Sequence, residues 1–326
     1  MELPVLQTKH IIVGILVKIK SKCLYCLFFR AKKQIERLTV NEEIRYNALT
    51  GVIQIIADHV GFNASNNISH PLRLCPSYIG TKRDRFLQKF FQVNDTYKPE
   101  KQNLKSQTSI LWNMVQKKIK RKHPEEQLKL ALASATSANI IEYDLLNQKN
   151  GFNIRNLKTI INSAEKKWDN LSIKLLPSLI SEITEANSIL YLTDNVGEVI
   201  FDALVIDLLI QQDKKVIVAG KSEPILNDAT VIDLQDLWVE LRTNDSPEII
   251  SIGTNSVGLL IDEISDEFRK ILSKSDLIIA KGMGHFETLP EYEWNQSVWC
   301  LFRTKCEPVA IEAKSEIDLN CIRKIS

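Results

Sequence analysis

The sequence predicts an α/β protein, with a mainly helical part over residues 1–150 and an α/β part with a mostly parallel sheet over 151–326. Two observations carry this. In the first part apolar residues recur three and four apart, the spacing of one helix face. From Ser188 onward, short and nearly continuous Ile, Val and Leu runs alternate with helical stretches. Parallel strands covered on both faces have that pattern, and alternation with helices makes the layer doubly wound.

In chain order, residues 23–38 form a mixed apolar and basic helix. Residues 42–60 carry Ile44, Leu49, Val52, Ile53, Ile56 and Val60 at helical spacing, with Gly61 as a stop. Pro71 and Pro76 punctuate a loop. Helices are predicted over 84–91, 104–120 and 126–146, the last interrupted around 134–139. A polar connection at 147–156 leads on without a flexible tether, and residues up to about 187 read as mostly helical. Strands follow at 189–193, 215–219, 248–252 and 276–280, with one more apolar run at 298–304. Helices at 198–211, 229–237 and 261–272 separate them.

A formal net charge of +2 gives no electrostatic case for nucleic acid or an anionic membrane. No apolar run approaches the roughly 20 residues of a membrane helix. The run at 11–17 is followed by Lys18 and Lys20 with no small-residue cleavage site, so a cytoplasmic protein is expected. The six cysteines are too sparse for a disulfide scaffold, and thiols are expected. Cys23-x-x-Cys26 reads first as a pair of thiols on a helix, one of them packed; the other reading is half a zinc site or a redox pair, and zinc would need partners among His70, Cys75 or the distant cysteines. The basic run at 117–123 reads as a solvated helix end.

The polar residues that follow the strands are the functional signal, because in a parallel sheet the turns after the strands share one edge. The first strand is followed by Asp194-Asn195 and the second by Gly220-Lys221 and a loop to Asn227-Asp228. The third leads to Gly253-Thr254-Asn255 and the fourth to Lys281-Gly282-Met283-Gly284-His285. Asp194, Asn195 and Asp228 offer carboxylate and amide oxygens, which suit a hard divalent ion such as Mg²⁺ or Mn²⁺. The same residues also read as helix N-caps. Lys281 is the natural partner of an anionic substrate. His285 reads either as a phosphate or proton-relay group or as a surface residue. A metal and a lysine facing a phosphoryl group provide the charge neutralisation that phosphoryl transfer uses, and the metal lowers the pKa of a bound water. No Gly-x-Gly-x-x-Gly follows the first strand, against a dinucleotide or methyltransferase site, and no Asp-x-Asp, against a haloacid-dehalogenase-type phosphatase.

Four stretches in order are similar to a known family: Asp194-Asn195-Val196-Gly197-Glu198, the run from Pro224 to Thr230, Lys281-Gly282-Met283-Gly284-His285-Phe286-Glu287, and Arg303-Thr304-Lys305-Cys306. The chain resembles the metal-dependent damage-control phosphatases, domain-of-unknown-function family eighty-nine. Cys23-x-x-Cys26 and Asn139-Ile140-Ile141 resemble its small stand-alone branch. The resemblance implies a helical N-terminal part packed on a Rossmann-like α/β/α domain. It implies one divalent cation (Mn, Co, Ni or Mg) held by Asp194, Asn195 and Asp228; Lys281 joins these three as a catalytic candidate on the reading of the strand ends given above. Met283, Gly284, His285, Phe286, Glu287 and Lys305, with Glu198 and Asn139, would hold a small phosphorylated metabolite. The implied activity is phosphate hydrolysis from sugar phosphates or damaged phospho-metabolites. The alternatives are an S-adenosylmethionine-dependent methyltransferase, an activity ascribed to one branch, and a non-catalytic phospho-ligand-binding protein. The chain departs from the family pattern at His285, often asparagine, at Glu142, often aspartate, and at Asn94-Asp95-Thr96-Tyr97-Lys98, which replaces Asp-Pro-Tyr-Lys.

Overall fold

The computed structural model describes residues 17–60, 71–105, 108–140, 162–241 and 246–326. The first part holds helices α1 (Ser21–Leu38), α2 (Glu42–Val60), α3 (Pro76–Phe91), α4 (Lys98–Lys105), α5 (Thr108–Lys120) and α6 (Pro124–Ser137). After α7 (Asn170–Glu185) the sheet begins: β1 (Ser188–Leu192), α8 (Val196–Ile210), β2 (Lys215–Gly220), α9 (Val231–Leu241), β3 (Glu248–Ser251), α10 (Asp266–Lys274) and β4 (Leu277–Lys281). It ends with α11 (Met283–Thr288), β5 (Ser297–Arg303), α12 (Glu307–Glu312) and β6 (Asn320–Lys324).

The six strands lie in the order β3-β2-β1-β4-β5-β6. The first five are parallel, and β6 runs antiparallel to β5. The order reverses between β1 and β4, and that reversal opens a crevice beyond their carboxyl ends. Strand residues alternate between two cores, as a period of two demands. Ile189, Tyr191, Val218, Leu277, Ile279, Trp299 and Leu301 face one, where α5, α6, α7, α8 and α9 cover the sheet. Leu190, Leu192, Ala219, Ile278, Ala280, Val298 and Phe302 face the other, with Phe268, Phe286, Val309, Leu72 and Tyr78. Both cores therefore take residues from either side of the boundary expected at 150/151, which itself lies outside the described residues. Helices α1, α2 and α3 share a smaller core of Ala31, Ile35, Ala48, Val52 and Leu87.

Helix α8 is apolar around most of its circumference and is buried, with Phe201, Ile206 and Leu209 fully enclosed. Each such side chain contributes about 1.5–3 kcal/mol by leaving water.

The structure corrects several expected boundaries. Pro76 stands at the first turn of α3, where a proline needs no amide hydrogen, so that helix starts at 76 and not 84. Pro71 opens a 3₁₀ turn, Pro71–Leu74. The stretch 104–120 contributes to two helices, α4 and α5. Helix α6 gives way to a 3₁₀ turn, Ala138–Ile140, and residues 141–161 lie outside the described residues. The helix expected at 261–272 is a 3₁₀ turn, Ile261–Glu263, followed by α10, whose N-cap Ser265 accepts the Phe268 N–H. Helix α9 starts at Val231 because Thr230 and Asp233 cap it reciprocally: Asp233 accepts the Thr230 N–H at 3.1 Å and Thr230 Oγ1 accepts the Asp233 N–H at 3.2 Å. Asp228 is thereby left for other work.

Candidate active site

The crevice is built by close backbone approach. Gly282, just past β4, has φ +86°, and a Cβ there would lie 2.0 Å from Asp194 Oδ2. Only glycine admits both that backbone and that carboxylate. Asp194 and Asn195, just past β1, are sewn to the loop after β2. The Ala229 N–H donates to Asp194 O at 2.7 Å and the Val196 N–H to Asn227 O at 2.9 Å. Asn195 and Asp228 form an antiparallel bridge. Three oxygen-bearing side chains from two distant loops thus meet at the switch point.

Lys221, the residue after β2, stands beside them. Its Nζ lies 3.6 Å from Asp228 Oδ2 and donates to Gly258 O at 2.7 Å. Burial lowers its pKa, and the Asp228 and Asp194 charges oppose that fall. Both carboxylates therefore act on one ammonium.

A second layer lies underneath. The side-chain amides of Asn139 and Asn195 each donate to Asp194 Oδ2 at 2.8 Å, and to Glu198 Oε1 at 2.7 and 2.6 Å. Glu198 also accepts the Asn195 N–H at 3.3 Å, the glutamate half of a capping box for α8. Its Oε2 accepts from Lys281 Nζ at 3.0 Å. Lys281 also donates to Asp202 Oδ1 at 2.8 Å and to Ala135 O at 2.9 Å, and Tyr191 Oη donates to Asp202 Oδ1 at 2.8 Å. Burial works against the Lys281 charge, but Asp202 and Glu198 outweigh it and hold the pKa above the ordinary lysine value. Burial, reinforced by Glu198, pushes Asp202 up to about 6. Glu198 falls below the usual glutamate range because Lys281 and Lys305 overcome its burial.

The expected site residues divide by depth. Asp194, Asn195 and Asp228 come together, and Lys305 is partly exposed and near enough to Glu198 to draw its pKa down. Met283 and Gly284 are also partly exposed. Lys281 needs correction: it has no exposure and is engaged by two carboxylates and a carbonyl, so it is a buried counter-ion and not a group open to an anionic substrate. His285 is also corrected, being neither a surface residue nor a ready proton relay. Its Nδ1 lies 2.6 Å from Lys281 O, and burial, with Lys221 nearby, pushes its pKa down to about 3. Phe286 stacks on Phe302 at 4.4 Å, and Glu287 Oε2 accepts from Ser77 N and Oγ. Glu198 and Asn139 belong to the second layer. Among the described residues, no three His, Cys, Asp or Glu side chains are arranged to hold a metal, so Cys23-x-x-Cys26 gains no zinc partners there. His70 lies outside the described residues. A cation at the crevice would thus depend on two carboxylates together with the Asn195 amide oxygen.

Sequence reasoning noted Lys221 after the second strand without giving it a role, and passed over Asp202. Lys221 ends β2 as Lys281 ends β4, and Asp202 is a charge within the apolar run of α8, four residues after Glu198; both positions carried that signal. Four carboxylates (Asp194, Glu198, Asp202, Asp228) and two buried ammoniums (Lys221, Lys281) cluster here, with Lys305 acting on Glu198. The oxygen atoms of Asp194, Asn195 and Asp228 suit a hard divalent cation.

A doubly wound α/β protein with an oxygen-rich switch point is the class these features define. The family of the particular chain follows from its relatives. A model of the damage-control phosphatase ARMT1-like domain matches residues 19–319, and the chain belongs to that family. It is 31% identical over 299 residues to damage-control phosphatase PH1575 of Pyrococcus horikoshii, covering 91% of this chain and 95% of the relative. A damage-control phosphatase of Archaeoglobus fulgidus is 26% identical over 300 residues, covering 90% and 94%. Uncharacterized protein MJ0202 of Methanocaldococcus jannaschii is 29% identical over 310 residues, covering 94% and 96%. The crystal structure of a duf89 family protein (ph1575) from Pyrococcus horikoshii matches with a TM-score of 0.77 and 29% identity over 94% of this chain and 99% of that one. No helix among the described residues is long and apolar enough to cross a membrane.

Proposed function

We propose that the protein is a divalent-metal-dependent phosphatase that hydrolyses phosphate monoesters of small metabolites, sugar phosphates or damaged phospho-metabolites. The observation that carries this is the meeting of Asp194, Asn195 and Asp228, two carboxylates and an amide, at the switch-point crevice. The name damage-control phosphatase, borne by two relatives, supports the same chemistry. A cytoplasmic setting agrees with six free thiols.

In this reading Asp194, Asn195 and Asp228 hold one cation, Mn²⁺, Co²⁺, Ni²⁺ or Mg²⁺. When bound, the cation supplies Lewis-acid polarisation of a phosphoryl oxygen and a lowered pKa for its water. The chain's own residues do the rest. Asn139 and Asn195 fix the orientation of the Asp194 carboxylate through their amide hydrogens. Glu198 holds those two amides, and Lys281 holds Glu198, so the site is set before substrate arrives. Lys305, partly exposed beside this layer, takes the phosphate charge, and Met283 and Gly284 border the ester.

The test is phosphate release from an aryl phosphate and a sugar-phosphate panel by metal-stripped protein, with each ion added back, beside Asp228→Ala. The expected result is metal-dependent turnover that Asp228→Ala abolishes while the protein stays folded by circular dichroism. Absence of turnover with every ion, together with no heat of metal binding, would overturn the reading.

A further inference from the structure

Asp228 reaches the crevice at the end of a tight turn that the sequence does not favour. The Asp228 N–H donates to Ile225 O at 3.1 Å, closing a turn over Ile225, Leu226, Asn227 and Asp228. Its second residue, Leu226, has φ +46°. That position of a turn asks for glycine, asparagine or aspartate, and a γ-branched side chain there is strained unless its surroundings hold it. Two features hold it. Ile225 and Leu226 are buried against Tyr97. The Leu226 N–H donates to Asp84 Oδ2 at 3.2 Å, and Asp84, on α3, has no exposure. The other oxygen of Asp84 accepts from Gln34 Nε2 at 2.7 Å, and the same nitrogen donates to Thr96 Oγ1 at 2.7 Å. The carboxylate is thereby aimed from α1 and from the segment before α4.

Asp84 is one of a row. Ser77, Thr81, Asp84, Arg85 and Gln88 recur at three and four along α3, so they share one face of that helix. Each meets a different part of the sheet's carboxyl edge. Ser77 donates to Glu287, and Thr81 Oγ1 accepts the Val257 N–H at 2.9 Å. Arg85 donates to Asn255 Oδ1 at 2.9 Å and Thr254 Oγ1 at 3.0 Å, and Gln88 Nε2 donates to Pro224 O at 2.8 Å. Helix α3 thus holds the loops after β2, β3 and β4 against one rigid rod, and Asp84 makes the contact nearest to Asp228.

We infer that Asp84 is a positioning residue for the cation site: it keeps Leu226 in its left-handed backbone and so delivers the Asp228 carboxylate to Asp194 and Asn195. The inference rests on the reading of Asp228 as a cation ligand. It makes part of the site's geometry a property of the helical N-terminal part.

The test measures Mn²⁺ affinity by calorimetry and the melting temperature of the metal-free protein, for wild type, Asp228→Ala, Asp84→Ala and Asp84→Asn. Asp84→Ala is expected to weaken Mn²⁺ at least tenfold. Asp84→Asn keeps a carbonyl oxygen for the Leu226 N–H, and rotation of the Gln34 amide satisfies its new NH₂, so it is expected to stay within threefold of wild type. Equal melting of the two variants with this split in affinity separates positioning from general destabilisation. Mn²⁺ binding by Asp84→Ala within threefold of wild type would overturn the inference. If Asp84→Ala does not fold, Gln34→Met decides, since it leaves Asp84 present but unaimed: weakened Mn²⁺ supports the inference and unchanged Mn²⁺ overturns it. Failure of wild type itself to bind Mn²⁺, or binding unaffected by Asp228→Ala, would instead refute the cation site.

Discussion

Replacing Lys281 by methionine is the sharpest test of the second layer, because the two roles open to this lysine predict opposite results. Its ammonium is fully enclosed, 3.0 Å from Glu198 Oε2 and 2.8 Å from Asp202 Oδ1, and it donates to the Ala135 carbonyl in the last turn of α6. Methionine has similar volume but leaves two buried carboxylates facing each other and a carbonyl without its donor. Breaking a buried ion pair from one side costs about 3–5 kcal/mol. At roughly 2.1 cal/mol/K of unfolding entropy per residue, a chain of 326 residues loses about 6 °C of melting temperature for a 4 kcal/mol change. The loss depends on pH. A carboxyl whose folded pKa is raised contributes stability below its unfolded pKa, and that contribution disappears as pH rises through the folded value. Asp202 already stands at about 6 with the lysine present. Without it one of the pair holds a proton to higher pH, so the variant's stability falls more steeply between pH 5 and pH 8. Urea unfolding of both proteins at pH 5.5 and 7.5 measures this, and adding Asp202→Asn to the variant recovers part of the loss at pH 7.5. A Lys281→Met protein within about 1 kcal/mol of wild type at pH 7.5, with a raised KM, would refute the counter-ion argument and return Lys281 to the substrate.

Gly282→Ala places a methyl group 2.0 Å from Asp194 Oδ2 on a backbone with φ +86°, so we expect a cost of about 1–3 kcal/mol from the backbone and at least a tenfold loss of cation affinity by calorimetry. Gly80→Ala in α3, whose new Cβ among the described residues meets only Leu27 of α1 at 3.8 Å, serves as the control, and its melting temperature is expected to hold or rise. Glu287 is pushed by burial from 4.5 to about 7 despite the bonds from Ser77. Its contribution is therefore present below about pH 4.5 and lost as pH rises through about 7, up to roughly 3 kcal/mol at 1.36 kcal/mol per pKa unit. Glu287→Gln is expected to flatten the melting profile between pH 5 and pH 8, and parallel profiles for the two proteins would contradict this. Asp228→Ala should abolish metal-dependent phosphate release, and because it leaves the buried Lys221 without this carboxylate the metal-free protein should melt lower while remaining folded.

The five parallel strands were legible because apolar runs covered on both faces admit few other structures, and their order brought the loop residues to one edge. Other elements were less defined for physical reasons. The region of α7 read as helical without bounds, since Pro177 stands within it and a proline ordinarily breaks the pattern. Strand β6 reads Asn-Cys-Ile-Arg-Lys, and its polar residues find distant tertiary partners: Asn320 Nδ2 donates to Ser137 Oγ at 2.7 Å, and Arg323 pairs with Asp169. No local signal reports such partners. Asp84 was likewise invisible as a site residue, because it lies 142 residues from the Leu226 amide it accepts.

The depth of Lys281 is a different case, since the information was in the pattern and was outweighed by a motif. Leu277, Ile279 and Lys281 are alternate residues of β4, so they share a face, and the first two belong to the core beneath α8. A lysine in that register points at α8 and not out of the sheet's edge. On α8, Glu198 and Asp202 are four apart and so lie on one side of the helix. One cation on a strand and two carboxylates on the helix that covers it can satisfy one another only by meeting inside. The glycines that follow Lys281 drew its reading toward the crevice, but they serve other neighbours: Gly282 leaves room for Asp194, and Gly284 for the backbone of Gly258. Register counted along a strand therefore decides between a ligand-facing and a buried charge at a strand's end, and here it places the Lys281 charge one layer below the oxygen atoms of Asp194, Asn195 and Asp228.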